Sequence, residues 1–234
     1  MKHKQENYWI SLSDIMTGLM MIFLFIAVSY MYQIKQKQKE RDRILEEFKN
    51  VKIALYQELK QEFEKDFAKH KWDAILGEDL SIRFQNEKVL FDYDKSDLKP
   101  EFKEILDSFF PRYFRILLKY KKHIAEVRIE GHTDSRGDYM YNLALSHART
   151  ASVLDYFFTS DKSPYQIYNR ENRDLIRFWL TATGFSWGRV VDKKGEYVLT
   201  SHGKESRKKS RRVEFRIVTK SDAVVKAILE KMEE

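Results

Sequence analysis

Residues 8–32 form one apolar block, YWISLSDIMTGLMMIFLFIAVSYMY, in which Asp14 is the single charged residue. A helix of these 25 residues rises about 37 Å at about 1.5 Å per residue, enough to cross a hydrocarbon core of about 30 Å. The block is predicted to be a transmembrane helix, with residues 1–7 as a short tail before it. From 33 to 76 the pattern changes: there is no proline or glycine, and Ile44, Phe48, Val51, Leu55, Leu59, Phe63 and Phe67 recur at steps of three and four. That period predicts an amphipathic helical connector over 33–76. It reads as the stalk of a parallel homodimer, as a cover for an ion path, or as a helix packed on its own domain. The dimer is preferred, because a membrane anchor holds two copies at high effective concentration.

Gly77 interrupts the helical period, and strand and helix patterns then alternate. Residues 80–84 alternate like a strand, and 89–91 read as a second, short one. Pro100 can open a helix over 101–122, with a kink expected at Pro111. A strand is expected at 125–130, then the loop Gly131-His132-Thr133-Asp134-Ser135-Arg136-Gly137, then a helix over 138–158 whose N-terminus Asp138 can cap. A helix at 170–179, a strand at 180–184, a polar insertion to 210, a strand at 212–218 and a short helix over 221–234 complete the chain. The interleaving predicts an α/β (α+β) sandwich with a mixed sheet over 77–220.

Composition limits the chemistry. With 34% charged and 14% aromatic residues, the part beyond the span can bury a core. There is no cysteine, which excludes disulfides, thiolate catalysis and cysteine-held zinc or iron. The net charge is +7, and eight Lys or Arg stand between 204 and 220 against Glu205 and Glu214, a surface suited to an anionic polymer or a nucleic acid. The apolar block is longer than a signal-peptide core, carries a carboxylate and has no small-residue cleavage site after it, so an uncleaved anchor is expected. Lys2 and Lys4 precede it, and Lys35, Lys37, Lys39, Arg41 and Arg43 follow it. By charge alone the C-terminal part would stay in the cytoplasm.

A carboxylate within a bilayer costs roughly 3 kcal/mol unless it faces protein, an ion or water. Asp14 is therefore a candidate ion-translocating residue, with Ser11, Thr17 and Gly18 on the same helix face. The alternative is a helix-start residue at headgroup depth.

The segments VLFDYDKSDLKP, IEGHTDSRGDYMYNLALSHARTASVLDYF, TATGFS and SRRVEFRI resemble, in order and spacing, the OmpA-like peptidoglycan-binding domain, over residues 80–219. The resemblance implies that Asp134 and Arg149 clasp the diaminopimelate of a peptidoglycan stem peptide. The chemistry agrees, since a carboxylate matches an ammonium and a guanidinium matches a carboxylate. Asn142, Ser146 and Arg149 share one helix face that can close over Thr133 and Asp134. The alternative is a structural ion pair between Asp134 and Arg149. The sequence departs from the family in the basic insertion over 187–206. His132 reads as a structural loop residue. With no nucleophile–base pair, metal cluster or glycine-rich phosphate loop in the pattern, neither an enzyme nor a bound metal or cofactor is expected.

The motif Asp14-Ile15-Met16-Thr17-Gly18-Leu19-Met20 resembles the D-x-M-T-x-x-M of the MotB class of stator subunits. That resemblance implies two such chains inside a five-subunit ring of MotA-like or ZorA-like partners, with Asp14 passing a proton or sodium ion. It also implies an inner-membrane protein with a cytoplasmic N-terminus and a periplasmic C-terminal domain, overruling the charge count. Within the class, WISLSDIMTGLMMIFLFI and the long charged connector look more like the ZorB family of the Zorya anti-phage systems than like flagellar MotB. A flagellar stator, a structural OmpA-like tether and a nucleic-acid binder are the alternatives, and direct nucleic-acid binding is not expected.

Overall fold

The computed structural model describes residues 8–67 and 71–220; residues 1–7 and the short helix expected over 221–234 lie outside them. The chain divides into two units, Met1–Phe48 and Lys49–Glu234.

The first unit contains the start of helix α1 (Tyr8–Phe63). Its large apolar side chains from Leu12 to Ile34 are exposed. An apolar surface of this length needs lipid or another chain to cover it. Among the described residues this is the one helix long and apolar enough to cross a membrane. Thr17 turns its hydroxyl back on the helix, donating to the carbonyl of Ser13 at 2.8 Å. That satisfies the hydroxyl without a second chain. The side chain of Ser11 lies outside the described set.

The second unit begins with the last turns of α1, and here the connector differs from expectation. The helix ends at Phe63, and Leu55, Leu59 and Phe63 are fully buried in the domain core. Of the three connector readings, packing on its own domain is what these last turns do. The reason is aromatic complementarity: the Phe63 ring lies 5.3 Å from Phe109 and 5.7 Å from Phe67, with the Arg112 guanidinium 4.6 Å over its face. Arg112 also bonds Glu62 at 2.7 Å and Asp66 at 2.6 Å, and the Tyr120 hydroxyl donates to Glu58 at 3.0 Å. The sheet opens at Ala74, inside the expected connector.

Five strands form one mixed sheet in the order β1 (Ala74–Leu76), β2 (Ser81–Phe84), β5 (Arg212–Thr219), β3 (Ile124–His132), β4 (Leu180–Gly184). Only β3 and β4 run parallel. The short strand expected at 89–91 is instead helix α2 (Glu87–Leu90), after which Phe91 bridges Leu98 alone. Three residues with a single pairing partner cannot extend a ladder. Helix α3 (Pro100–Lys119) is one element through Pro111. Helix α4 (Tyr139–Thr159) is capped by Asp138, which accepts from the Tyr141 N–H at 3.0 Å, and α5 (Arg170–Trp179) leads directly into β4. The insertion is ordered around two short helices, α6 (Val198–Ser201) and α7 (Arg207–Ser210), and the Asp192 carboxylate accepts from the N–H groups of Lys194, Gly195 and Glu196 at 2.8–3.1 Å.

Strand alternation divides the sheet chemically. Val213, Phe215 and Ile217 of β5 and Val127 and Ile129 of β3 belong to the core, with Phe215 5.0 Å from Phe109 of α3. The intervening residues are polar or charged. Glu130 stands opposite Glu214, Arg128 opposite Arg216, and His132 opposite Arg212.

Candidate binding site

Strand β3 ends at His132, and the chain then turns into the loop that carries Thr133 and Asp134. Two glycines bring α4 down onto the strand ends. A side chain at Gly131 would meet the Ser146 carbonyl at 2.4 Å, and one at Gly184 would meet the His147 amide nitrogen at 2.5 Å. The loop is fixed from below by backbone bonds from Phe185 N–H to Gly131 O and from Thr133 N–H to Ser186 O, both 2.9 Å.

The result is a cavity of about 220 Å³ between the end of β3, the first half of α4, the start of β5 and the loop after α2. Thr133, Asp134, Asn142 and Arg149 all line it. Ser146 does not. It is fully buried, donates to Leu143 O at 3.0 Å and accepts from Ser186 N–H at 3.1 Å, so its hydroxyl fastens α4 to the segment after β4. Asn142 lines the cavity, yet its amide is engaged with the carbonyls of Arg136 (2.8 Å) and Asp138 (2.9 Å), shaping the loop. The Thr133 hydroxyl oxygen is buried and has no hydrogen-bond partner among the described residues. Such an orphan group is costly unless something completes it.

Asp134 is 5% exposed and is held by two arginines that the sequence reading did not assign to it. Arg136 donates from its Nη2 at 2.9 Å and from its backbone N–H at 3.1 Å, and Arg211 ion-pairs with the same carboxylate from the start of β5. Burial pushes the Asp134 carboxyl up, but the hydrogen bonds from Arg136 and Arg211 outweigh it and hold the group below the ordinary carboxylate range. Arg149 donates to Lys95 O at 2.9 Å and to Asp92 O at 3.4 Å, with its guanidinium 5.0 Å over Phe91. The cavity thus presents an ionised carboxylate, an orphan hydroxyl and guanidinium groups, a set complementary to a zwitterion.

Behind it lies a buried ionic network. Each oxygen of Glu130 and Glu214 faces a guanidinium. Arg216 reaches Glu130 at 3.1 Å and Glu214 at 3.0 Å, Arg189 reaches Glu130 at 3.3 Å, and Arg212 reaches Glu214 at 2.5 Å. His132 stacks on Phe185 at 5.3 Å, with its Nε2 3.6 Å from Glu130 and 3.7 Å from Glu214. Burial, aided by Arg212, pushes the imidazole well below its usual pKa. Glu130, His132 and Glu214 have the composition of a metal site. A cation there would have to stand among guanidiniums that already occupy the carboxylates, which is unfavourable. The basic segment expected to form an open polyanion surface is in part consumed here, because Arg211, Arg212 and Arg216 are all ion-paired.

A cavity of this make-up at the end of a mixed sheet, with a transmembrane-length helix before it, is that of a membrane-anchored OmpA-like domain. Residues 90–212 match the OmpA family, and the chain belongs to that family. It is 36% identical to the Zorya protein ZorB of Escherichia coli over 98% of this chain and 95% of that protein. It is 34% identical to the peptidoglycan-associated lipoprotein of Pseudomonas aeruginosa over 62% of this chain and 69% of the lipoprotein. Among solved structures it is similar to a MotB-like protein from Desulfovibrio vulgaris, with 20% identity, a TM-score of 0.48, and coverage of 74% of this chain and 94% of that one.

Proposed function

We propose that the chain is a peptidoglycan-anchored, ion-conducting motor subunit that acts in anti-phage defence. Two copies pair within a five-subunit ring of ZorA-like membrane partners, the N-terminus lies in the cytoplasm, and the OmpA-like domain stands in the periplasm. The cavity carries this reading: an ionised Asp134 beside the unpartnered Thr133 hydroxyl, with Arg149 on the facing helix, suits the zwitterionic end of diaminopimelate. The likeness to ZorB along nearly the whole chain supports the defence role.

The anchor gives the membrane part a fixed point. Asp14 is the single charged residue of the span, and a proton arriving from the periplasm neutralises it. The neutral form is at home against apolar side chains, whereas the ionised form needs water or polar groups of the ring. Alternation between the two changes the preferred packing of the ring around the span. A membrane potential supplies about 2.3 kcal/mol per charge per 100 mV for each passage. Co-sedimentation of the full chain with purified sacculi tests the anchor. Wild type is expected to be retained, and Asp134→Ala and Arg149→Ala to be lost to the supernatant; equal retention of both variants would sink the reading.

A further inference from the structure

The cavity rim carries large apolar groups in water. Tyr93 is 87% exposed and Tyr141 is 54% exposed, and both line the cavity mouth. Met140, in the first turn of α4, is exposed beside Tyr141. These rings stand on a rigid support. The Tyr141 hydroxyl bonds the Asp94 carboxylate, and its backbone N–H is engaged by the helix cap at Asp138. Asp94 holds a left-handed backbone at φ 61°, and Arg149 secures the same loop through the carbonyls of Asp92 and Lys95. A platform fixed in this way loses little conformational entropy when a ligand lands on it.

We infer that Tyr93 and Tyr141 form a saccharide platform, on which the glycan strand of peptidoglycan rests while its stem peptide occupies the cavity. This rests on the peptidoglycan reading of the cavity. A cavity of about 220 Å³ takes an amino-acid side chain and its charged end, not a disaccharide. Diaminopimelate is the third residue of the stem, so two residues separate it from the lactyl group of the sugar. At about 3.3–3.6 Å per extended residue, these two residues carry the sugar out of the cavity that holds the clasped group. A pyranose has an apolar C–H face and a polar edge, and a tyrosine offers the matching apolar ring and polar tip. Asp92, Asp94 and the half-exposed Arg136 surround the rings and can bond sugar hydroxyl and acetamido groups.

The test is a calorimetric titration of the full chain in detergent with two probes: the free stem tripeptide ending in diaminopimelate, and the same tripeptide on its disaccharide. Wild type is expected to bind the disaccharide form about tenfold more tightly. Tyr93→Ala should remove that advantage, while Tyr93→Trp should restore it. Tyr93 is so exposed that its truncation does not touch the core. Equal affinities of wild type for the two probes, or an undiminished advantage in Tyr93→Ala, would overturn the platform, as would an advantage lost only through self-association seen in sedimentation. Asp134→Ala should weaken both probes together. If wild type binds neither probe, the peptidoglycan reading itself falls, and the platform with it.

Discussion

Arg211, the residue preceding β5, ion-pairs with Asp134, which lies in the loop after β3 and whose Oδ2 is also held by Arg136 at 2.9 Å. The carboxylate that is to meet an ammonium is therefore ionised and oriented before any ligand arrives. Charge-assisted hydrogen bonds of this kind contribute about 1.5–3 kcal/mol. Arg211→Ala should weaken retention on sacculi by about tenfold, and Arg211→Lys should lose less, because it keeps the charge and gives up the planar fork. Binding isotherms on sacculi measure the effect.

Behind the cavity, His132 and Asp79 both lose stability as pH falls, in separate pH windows. The buried imidazole has a folded pKa well below the ordinary 6.5, so below pH 6.5 the unfolded chain takes up a proton that the folded chain refuses. Stability is then full above pH 6.5 and falls as pH drops, by about 1.4 kcal/mol per pH unit for one proton. Asp79 is raised by burial but lowered further by Ser81, Arg216 and Arg83, from the ordinary 3.8 to about 2. Its contribution is complete above about pH 4 and is lost between 3.8 and 2. Urea unfolding of the full chain in detergent should show the first slope between pH 6.5 and 5.5, and His132→Gln should flatten it by one proton's worth.

The last turns of α1 belong to the domain core. Phe63→Ala removes a fully buried ring that touches Phe109, Phe67 and Arg112, and should cost about 3–5 kcal/mol. Ile53→Ala, an exposed position on the same helix, should change stability by no more than about 0.5 kcal/mol. Denaturant midpoints of the two variants distinguish a packed helix end from a free stalk, for which the two costs would be alike.

Much of this was legible in the residues. The span announces itself by length and by the isolated Asp14, and α5 and β4 fall where Arg170–Trp179 and Leu180–Gly184 were expected, because sharp changes of period bound them. The cap at Asp138 needed only its own side chain and the amide three residues on. What was not legible depends on partners distant in sequence. Phe63 reads equally well as a dimer seam or a core residue until Phe109 is placed beside it. Ser146 shares a helix face with Arg149, but Gly184 brings the backbone so close that its hydroxyl is consumed by Ser186. The pairing of Arg211 with Asp134 spans 77 residues, and the double arginine Arg211-Arg212 was its one sequence signal. Residues 89–91 have the composition of a strand and lack a neighbouring strand to join.

The central claim is that a carboxylate in the span does ionic work against an anchored domain. Asp14→Asn keeps the shape of the side chain and removes its proton exchange. In cells that carry the chain together with the ring-forming partner proposed for it, wild type is expected to lower phage plating efficiency by orders of magnitude. Asp14→Asn should plate like cells without the system, while remaining in the membrane fraction and on sacculi at wild-type levels. Full protection by Asp14→Asn would contradict the account.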